Sequence, residues 1–235
     1  MNETLDVKKK ALIIGSSRGL GLALAKEFLA RNWSVMGTVR QESGTALHDL
    51  AQNSSNQLQV EVLDITAIDQ ILSLKDRLQG QKFDLLFVNA GISHGAYETS
   101  VTISTDEFVK VMVTNALSPM RVVETLASNV IEGGTIGLMS SGQGSVANNE
   151  EGYFEVYRAS KAALNTLMRS FAARHPKDSR SLLLIAPGWI RTELGGPNAP
   201  YSIEEAIPRI VDTIVAQTGK VGLQYLDQFG KVVRW

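Results

Sequence analysis

A chain of 235 residues, 44% hydrophobic and 20% charged, can bury a sizeable core as one large domain or two small ones. Its net charge of −1 leaves no electrostatic footprint for nucleic acid or an anionic membrane surface. With no Cys, and with His48, His94 and His175 scattered, disulfides, thiolate sites and a histidine metal centre are not expected.

Residues 1–9 read as a frayed start. Lys10 to Ile14 is a short apolar strand, too short for a signal peptide, and no stretch approaches transmembrane length; a cytoplasmic protein with no membrane partner is expected. A Gly-rich turn follows, then a helix to about Arg31 with Leu20, Leu24 and Phe28 on one face. Trp33 to Val39 is a second strand, 42–53 a polar helix, and Leu58 to Leu63 a third strand. Thr66 can cap a helix carrying Ile68, Ile71, Leu72 and Leu78. Phe83 to Val88 is strand four. Ser104 and Glu107 form a capping box for a long helix carrying Phe108, Val111, Met112 and Asn115. Thr135 to Met139 is strand five. Next comes a helix whose Val156, Ala159, Ala163, Leu167 and Phe171 keep helical spacing, and then Ser181 to Ala186 as strand six. Ser202 and Glu205 cap a further helix that Pro208 should kink, and Val221 to Trp235 supplies a last strand. Strands alternate with helices and several strands are continuously apolar. That predicts one α/β domain, a doubly wound Rossmann-like fold with a parallel sheet of about seven strands.

Gly15, Gly19 and Gly21 lie where the first strand turns into the first helix. Glycine there permits a tight turn and lets a diphosphate approach main-chain N–H groups at the helix N-terminus. The spacing is Gly-x-x-x-Gly-x-Gly rather than Gly-x-Gly-x-x-Gly. Strand two ends in Gly37-Thr38-Val39-Arg40, without the acid that would grip a ribose 2′-hydroxyl. Arg40, with Arg18 in the turn, instead suits a 2′-phosphate. Asp64, with Ile65 beside it, follows strand three and either receives an adenine amino group or caps the next helix. Asn89-Ala90-Gly91 ends strand four, where a parallel sheet presents ligands, or is a plain turn. Asn115 sits on an apolar face, as a structural tie or as part of a buried water path. His94 reads as solvated, and Trp189 as packing or substrate recognition.

Ser140 and Ser141 precede a turn with Gly142 and Gly144, and Tyr157 and Lys161 stand one above the other on their helix. The same spacing fits any amphipathic helix, so the pair gains its meaning from the motifs upstream. A free tyrosine has a pKa of about 10. A lysine cation about 4 Å away would stabilise its phenolate by about 4 kcal/mol at an effective dielectric near 20, bringing it toward neutral pH.

Together these residues resemble a short-chain dehydrogenase/reductase from about Lys10 to Trp235. The segments Ser140 to Asn165 and Pro187 to Asn198 are similar to the C-factor and Sniffer-like carbonyl reductases, which share the long gap between serine and tyrosine. The resemblance implies an NADPH-dependent enzyme reducing a small-molecule carbonyl (an aldehyde, ketone or quinone). In it Tyr157 donates the proton, Ser141 holds the oxygen, Lys161 lowers the tyrosine pKa and binds the ribose, and Asn115 keeps a relay water. It also implies NADPH/NADP+ contacts from Gly15, Ser17, Arg18, Gly19, Leu20 and Gly21. Further contacts come from Arg40, Asp64, Ile65, Asn89, Ala90 and Gly91, and then from Pro187, Gly188, the Ile190 backbone and Thr192. A lid over 195–201 and a homodimer or homotetramer complete the expectation. The rival reading is an NADP(H)-binding redox-sensing or signalling protein with little turnover.

Overall fold

The apolar runs of the chain form one seven-stranded sheet in which every neighbouring pair is parallel. The computed structural model describes residues 8–93 and 95–235. The strands are β1 (Lys10–Ile14), β2 (Ser34–Val39), β3 (Leu58–Val62), β4 (Phe83–Val88), β5 (Val130–Met139), β6 (Ser181–Ala186) and β7 (Gly222–Asp227), in the order β3-β2-β1-β4-β5-β6-β7. All six residues of β6 are buried, as a strand covered on both faces requires. On one face Ala11 and Ile13 pack with Leu24 and Phe28 of α1 (Gly19–Ala30), Leu47 of α2 (Ala46–Gln52) and Ile210 of α7 (Ile203–Ala216). On the other, Leu12 and Ile14 belong to the core with Ile71 of α3 (Ile68–Arg77), Val122 of α5 (Ser118–Leu126) and Leu164 of α6 (Glu155–Arg174). Each such fully buried aliphatic side chain contributes about 1.5–3 kcal/mol. The strand order reverses between β1 and β4, so a crevice opens beyond the carboxyl ends of those two strands.

Several local expectations change. The second helix starts at Ala46, because Gly44 turns with φ 72° and Thr45 and His48 then close a capping box. Thr66 does not cap α3; its N–H and hydroxyl both donate to Asp64 Oδ1, and Ala67 takes the cap position. On α3 Ile68 and Leu72 lie outside, while Leu74 is buried. The Ser202–Glu205 capping box is present in full, and α7 continues through Pro208 to Ala216. Lys9 is tied down, its carbonyl accepting from Ser34 N–H, whereas residues 1–7 and His94 lie outside the described residues. The long helix after Ser104 is three pieces. Helix α4 (Thr105–Met112) passes into a π-turn at Val113–Leu117, and α5 follows.

The turn after β1 is built against the end of β4. Asn89 Nδ2 donates to Gly15 O at 3.0 Å, and the N–H groups of Asn89 and Ala90 both reach Ile14 O. A Cβ on Gly21 would lie 2.0 Å from Gly15 O and 2.7 Å from Asn89 Nδ2, so helix α1 can approach only with glycine there. A Cβ on Gly19 would meet nothing within 4 Å, although its φ of 56° is left-handed. Thermal melts should therefore separate the two glycines. Gly21→Ala should cost about 3 kcal/mol through overpacking, and Gly19→Ala about 1 kcal/mol through its backbone alone; the reverse ranking would contradict this packing.

Candidate active site

Helix α6 carries Tyr157, Lys161 and Asn165 at intervals of four, and all three turn toward the end of β5. Lys161 is 3% exposed, and its ammonium donates to Met139 O at 2.9 Å. The Tyr157 hydroxyl lies beside the Ser141 side chain, which favours its ionised form. Ser141 Oγ also accepts from Gln143 N–H at 3.1 Å, which opens the short 3-10 turn Gly142–Gly144. Ser140 turns elsewhere, donating to Asn165 Oδ1 at 2.6 Å. Ser145 is buried and holds the loop beyond, accepting from Asn148 N–H. Of the three serines, the structure places Ser141 beside Tyr157.

The electrostatics differ from the sequence expectation. Burial pushes the Tyr157 hydroxyl up to about 12; Ser141 opposes the rise and Tyr225 adds to it. Part of the residue reaches solvent, but the hydroxyl itself is enclosed. Lys161 does not lower the tyrosine here. Its ammonium is committed to the Met139 carbonyl, lies 5.8 Å from the Tyr157 ring centroid, and is itself brought down to about 8 by burial. A Coulomb estimate at fixed distance omitted the desolvation that dominates both groups.

Asn115 is buried within the π-turn. Its Oδ1 accepts from Ile92 N–H at 2.8 Å, while Nδ2 donates to Ile92 O at 2.8 Å and to Ser160 Oγ at 3.0 Å. The side chain is thus a tie between the segment after β4 and helix α6. Such π-turns place one extra residue where a regular helix would not reach.

Across the crevice, helix α1 begins without a side-chain cap at Arg18 and with no acid in its first turn. A Cβ at Gly19 would meet nothing within 4 Å, so there is room beside this helix N-terminus, which suits an anionic phosphate. Gly15 N–H is held by Thr38 Oγ1 at 2.9 Å, and Ser17 and Leu20 are half-buried in the same turn. Arg40 is exposed beyond β2. Arg18 forms an ion pair with Glu193 from the loop after β6. Asp64 is occupied by Thr66, and Ile65 is buried behind it. Ala90 is half-buried, and Gly91 leaves room where a Cβ would stand 3.4 Å from Lys161 Nζ.

The loop after β6 is pinned where its ends meet. Ile190 pairs with Tyr201, and Arg191 N–H donates to Tyr201 O at 2.8 Å. Inside it, Thr192 Oγ1 accepts from Gly195 N–H at 2.9 Å, and Trp189, 57% exposed, donates its indole N–H to Gly195 O. Pro187 and Gly188 are held from β7's end, where Gln228 Nε2 donates to Pro187 O at 2.9 Å. Four side chains escaped the sequence reading: Thr38, Asn165, Tyr225 and Gln228. Asn165 alone had a readable signal, lying one further helical step beyond Tyr157 and Lys161. Among the described residues no helix is long and apolar enough to cross a membrane, and no cluster of His, Cys, Asp and Glu could hold a metal.

Comparison with known proteins agrees with this geometry. The short chain dehydrogenase family model matches residues 9–200. A short-chain dehydrogenase/reductase from Burkholderia multivorans, solved with bound NADP, is 56% identical with a TM-score of 0.95, covering 97% of this chain and 100% of that one. A carbonyl reductase from Pseudomonas aeruginosa PAO1 in complex with NADP is 34% identical, TM-score 0.90, with the same coverage of both chains. Carbonyl reductase Sniffer of D. melanogaster is 26% identical, TM-score 0.86, again covering 97% and 100%.

The buried lysine has a measurable consequence. Its pKa falls from 10.5 to about 8, so between those values the unfolded chain keeps a proton that the folded chain has released. Stability therefore rises with pH across that window, and below it the buried charge weighs against folding. Lys161→Met should raise the melting temperature relative to the parent at pH 7. That advantage should shrink by about 2 kcal/mol by pH 10. A difference that stays constant over this range would show an ordinary lysine.

Proposed function

The chain belongs to the short chain dehydrogenase family, and on that premise we propose that it is an NADPH-dependent reductase of a small carbonyl compound, an aldehyde, ketone or quinone. The observation that carries this reading is the approach of the Ser141 and Tyr157 hydroxyls at the end of β5 beside the buried Lys161, on the same edge of the parallel sheet as the uncapped start of α1. The α1 N-terminus and the glycine turn would hold the diphosphate of NADPH, Arg40 its 2′-phosphate, and the 187–192 segment its carboxamide. Bound there, NADPH supplies the hydride for the carbonyl carbon. The protein's own share is to fix the carbonyl oxygen and to give it a proton. Ser141 donates to that oxygen as negative charge develops on it. Tyr157, kept protonated at neutral pH by its burial, is the acid that completes the alcohol. The Lys161 amino group, beside it, would bind the ribose and compensate the phenolate left behind. Asn115 keeps the π-turn against α6, where a relay water would sit.

A redox sensor with little turnover would not require these groups to converge, so turnover is the reading to test. Apolar Phe108, Val109 and Leu167 remain exposed on α4 and α6, which supports a homodimer or homotetramer joined through those helices. A cytoplasmic setting is retained as part of the proposal.

In assays of NADPH oxidation over a panel of aldehydes, ketones and quinones, Tyr157→Phe should lose roughly 10²–10⁴ in rate with NADPH binding nearly intact. Ser141→Ala should lose roughly 10²–10³ in kcat, while Ser140→Ala stays within several-fold. Parent-like turnover in Tyr157→Phe would remove it as the acid, and reversed serine effects would move the oxygen-binding role to Ser140.

Cofactor choice rests on Arg40. A charge-assisted contact to phosphate is worth roughly 1.5–3 kcal/mol, so the parent should prefer NADPH and Arg40→Asp should lower the NADPH/NADH ratio of kcat/KM by more than about tenfold. An unchanged ratio would exclude a 2′-phosphate at Arg40.

A further inference from the structure

Ser141 lies beyond the last ladder bond of β5, so something other than the sheet must fix its orientation. Tyr225 lies on β7, with β6 between it and β5, and is 1% exposed. Its hydroxyl crosses to the Ser141 main-chain carbonyl, which also accepts from Gly144 N–H at 2.9 Å. The Tyr225 ring packs on Trp235 with centroids 5.4 Å apart, and the Arg169 guanidinium covers the other ring at 4.8 Å. Trp235 comes back along β7, where Val233 N–H donates to Tyr225 O at 2.9 Å. The Trp235 carbonyl oxygen then accepts from Ala147 N–H at 3.0 Å and from Ser145 Oγ at 3.5 Å. The turn from Ser141 to Ala147 is therefore gripped at both ends by the last strand and the segment after it. Its middle is held by Asn165, which donates to Gly144 O at 3.2 Å.

We infer that Tyr225 is a positioning residue, whose hydroxyl bond to the Ser141 carbonyl aims the serine hydroxyl at Tyr157, with Trp235 as the brace behind it. This rests on the proposed role of Ser141. It gives the 225–235 segment, where the sequence shows no motif, a specific effect on the chemical step. The effect falls on kcat, because the Tyr225 hydroxyl bonds the Ser141 turn and not the glycine turn that would bind NADPH.

Tyr225→Phe keeps the ring and its contact with Trp235. It should lower kcat about tenfold at saturating NADPH through misplacement of one group, leaving the NADPH Kd within about twofold of the parent. In a Ser141→Ala background the same change should be nearly silent, since residues acting through one group are not additive. Amide hydrogen exchange supplies a readout independent of turnover: Gln143, Gly144 and Ala147 should exchange faster in Tyr225→Phe while β6 does not change. Trp235→Leu, which retains the hydroxyl but removes the brace, should lose kcat in the same direction and be equally silent without Ser141. It serves as the test should Tyr225→Phe fail to fold. Loss of kcat in Ser141→Ala with a parent-like Tyr225→Phe overturns this inference alone. Equal losses in both backgrounds, or unchanged exchange in the turn, overturn it as well. A parent-like Ser141→Ala removes the serine assignment and this inference with it.

Discussion

A lysine ammonium buried against one main-chain carbonyl sets the geometry around it. Lys161 reaches Met139 O, and so ties the middle of α6 to the last residue of β5. A Cβ at position 91 would stand 3.2 Å from Asn115 Oδ1 and 3.4 Å from the same nitrogen, so the end of β4 comes close to both. Asn115 approaches that point from the π-turn. One charged group thus assembles two strand ends and two helical segments. An ammonium has three donors, and only one is used by the protein among the described residues. Keeping that charge buried costs stability.

Burial drives the two titratable groups of the site toward their neutral forms from opposite directions, the tyrosine up to about 12 and the lysine down to about 8. That balance suits a proton donor at rest. It also makes both groups responsive to any charge brought beside them, because buried groups are weakly screened. The environment alone, without a change of residue, would then decide whether the hydroxyl gives or takes a proton.

Much of the architecture was legible because it is written in short-range pattern. The strands β1, β4 and β6 have the bounds that their apolar runs imply, since a run buried on both faces ends where the turn residues begin. Tyr157 over Lys161 is helical spacing, and the glycine turn is a local spacing between strand and helix. What escaped depends on approach in space. Tyr225 reaches Ser141 across 84 positions of chain, and Gln228 reaches Pro187 across 41; neither leaves a spacing to read. The ion pair of Arg18 with Glu193 likewise joins residues far apart in the chain. Asn115 was placed on the right face by periodicity, yet the break in its helix was not, because a π-turn has no residue code of its own. Neighbouring expectations on α3 failed for a related reason: Leu72 keeps helical spacing but lies at the margin of the buried stripe.

That π-turn also governs what the loss of one residue would do to the fold. It holds one residue more than a regular helix would use between Met112 and Ser118. Deleting any one of Val113–Leu117 would let an unbroken α-helix form, and local hydrogen bonding would improve. The halves on either side would keep nearly the same phase, because the wide turn already takes up the extra residue within itself. What would be lost is the place of Asn115, whose bonds to Ile92 and Ser160 are made from within that turn. A shorter chain here would thus leave the packing of the two helices nearly intact while untying the segment after β4 from α6.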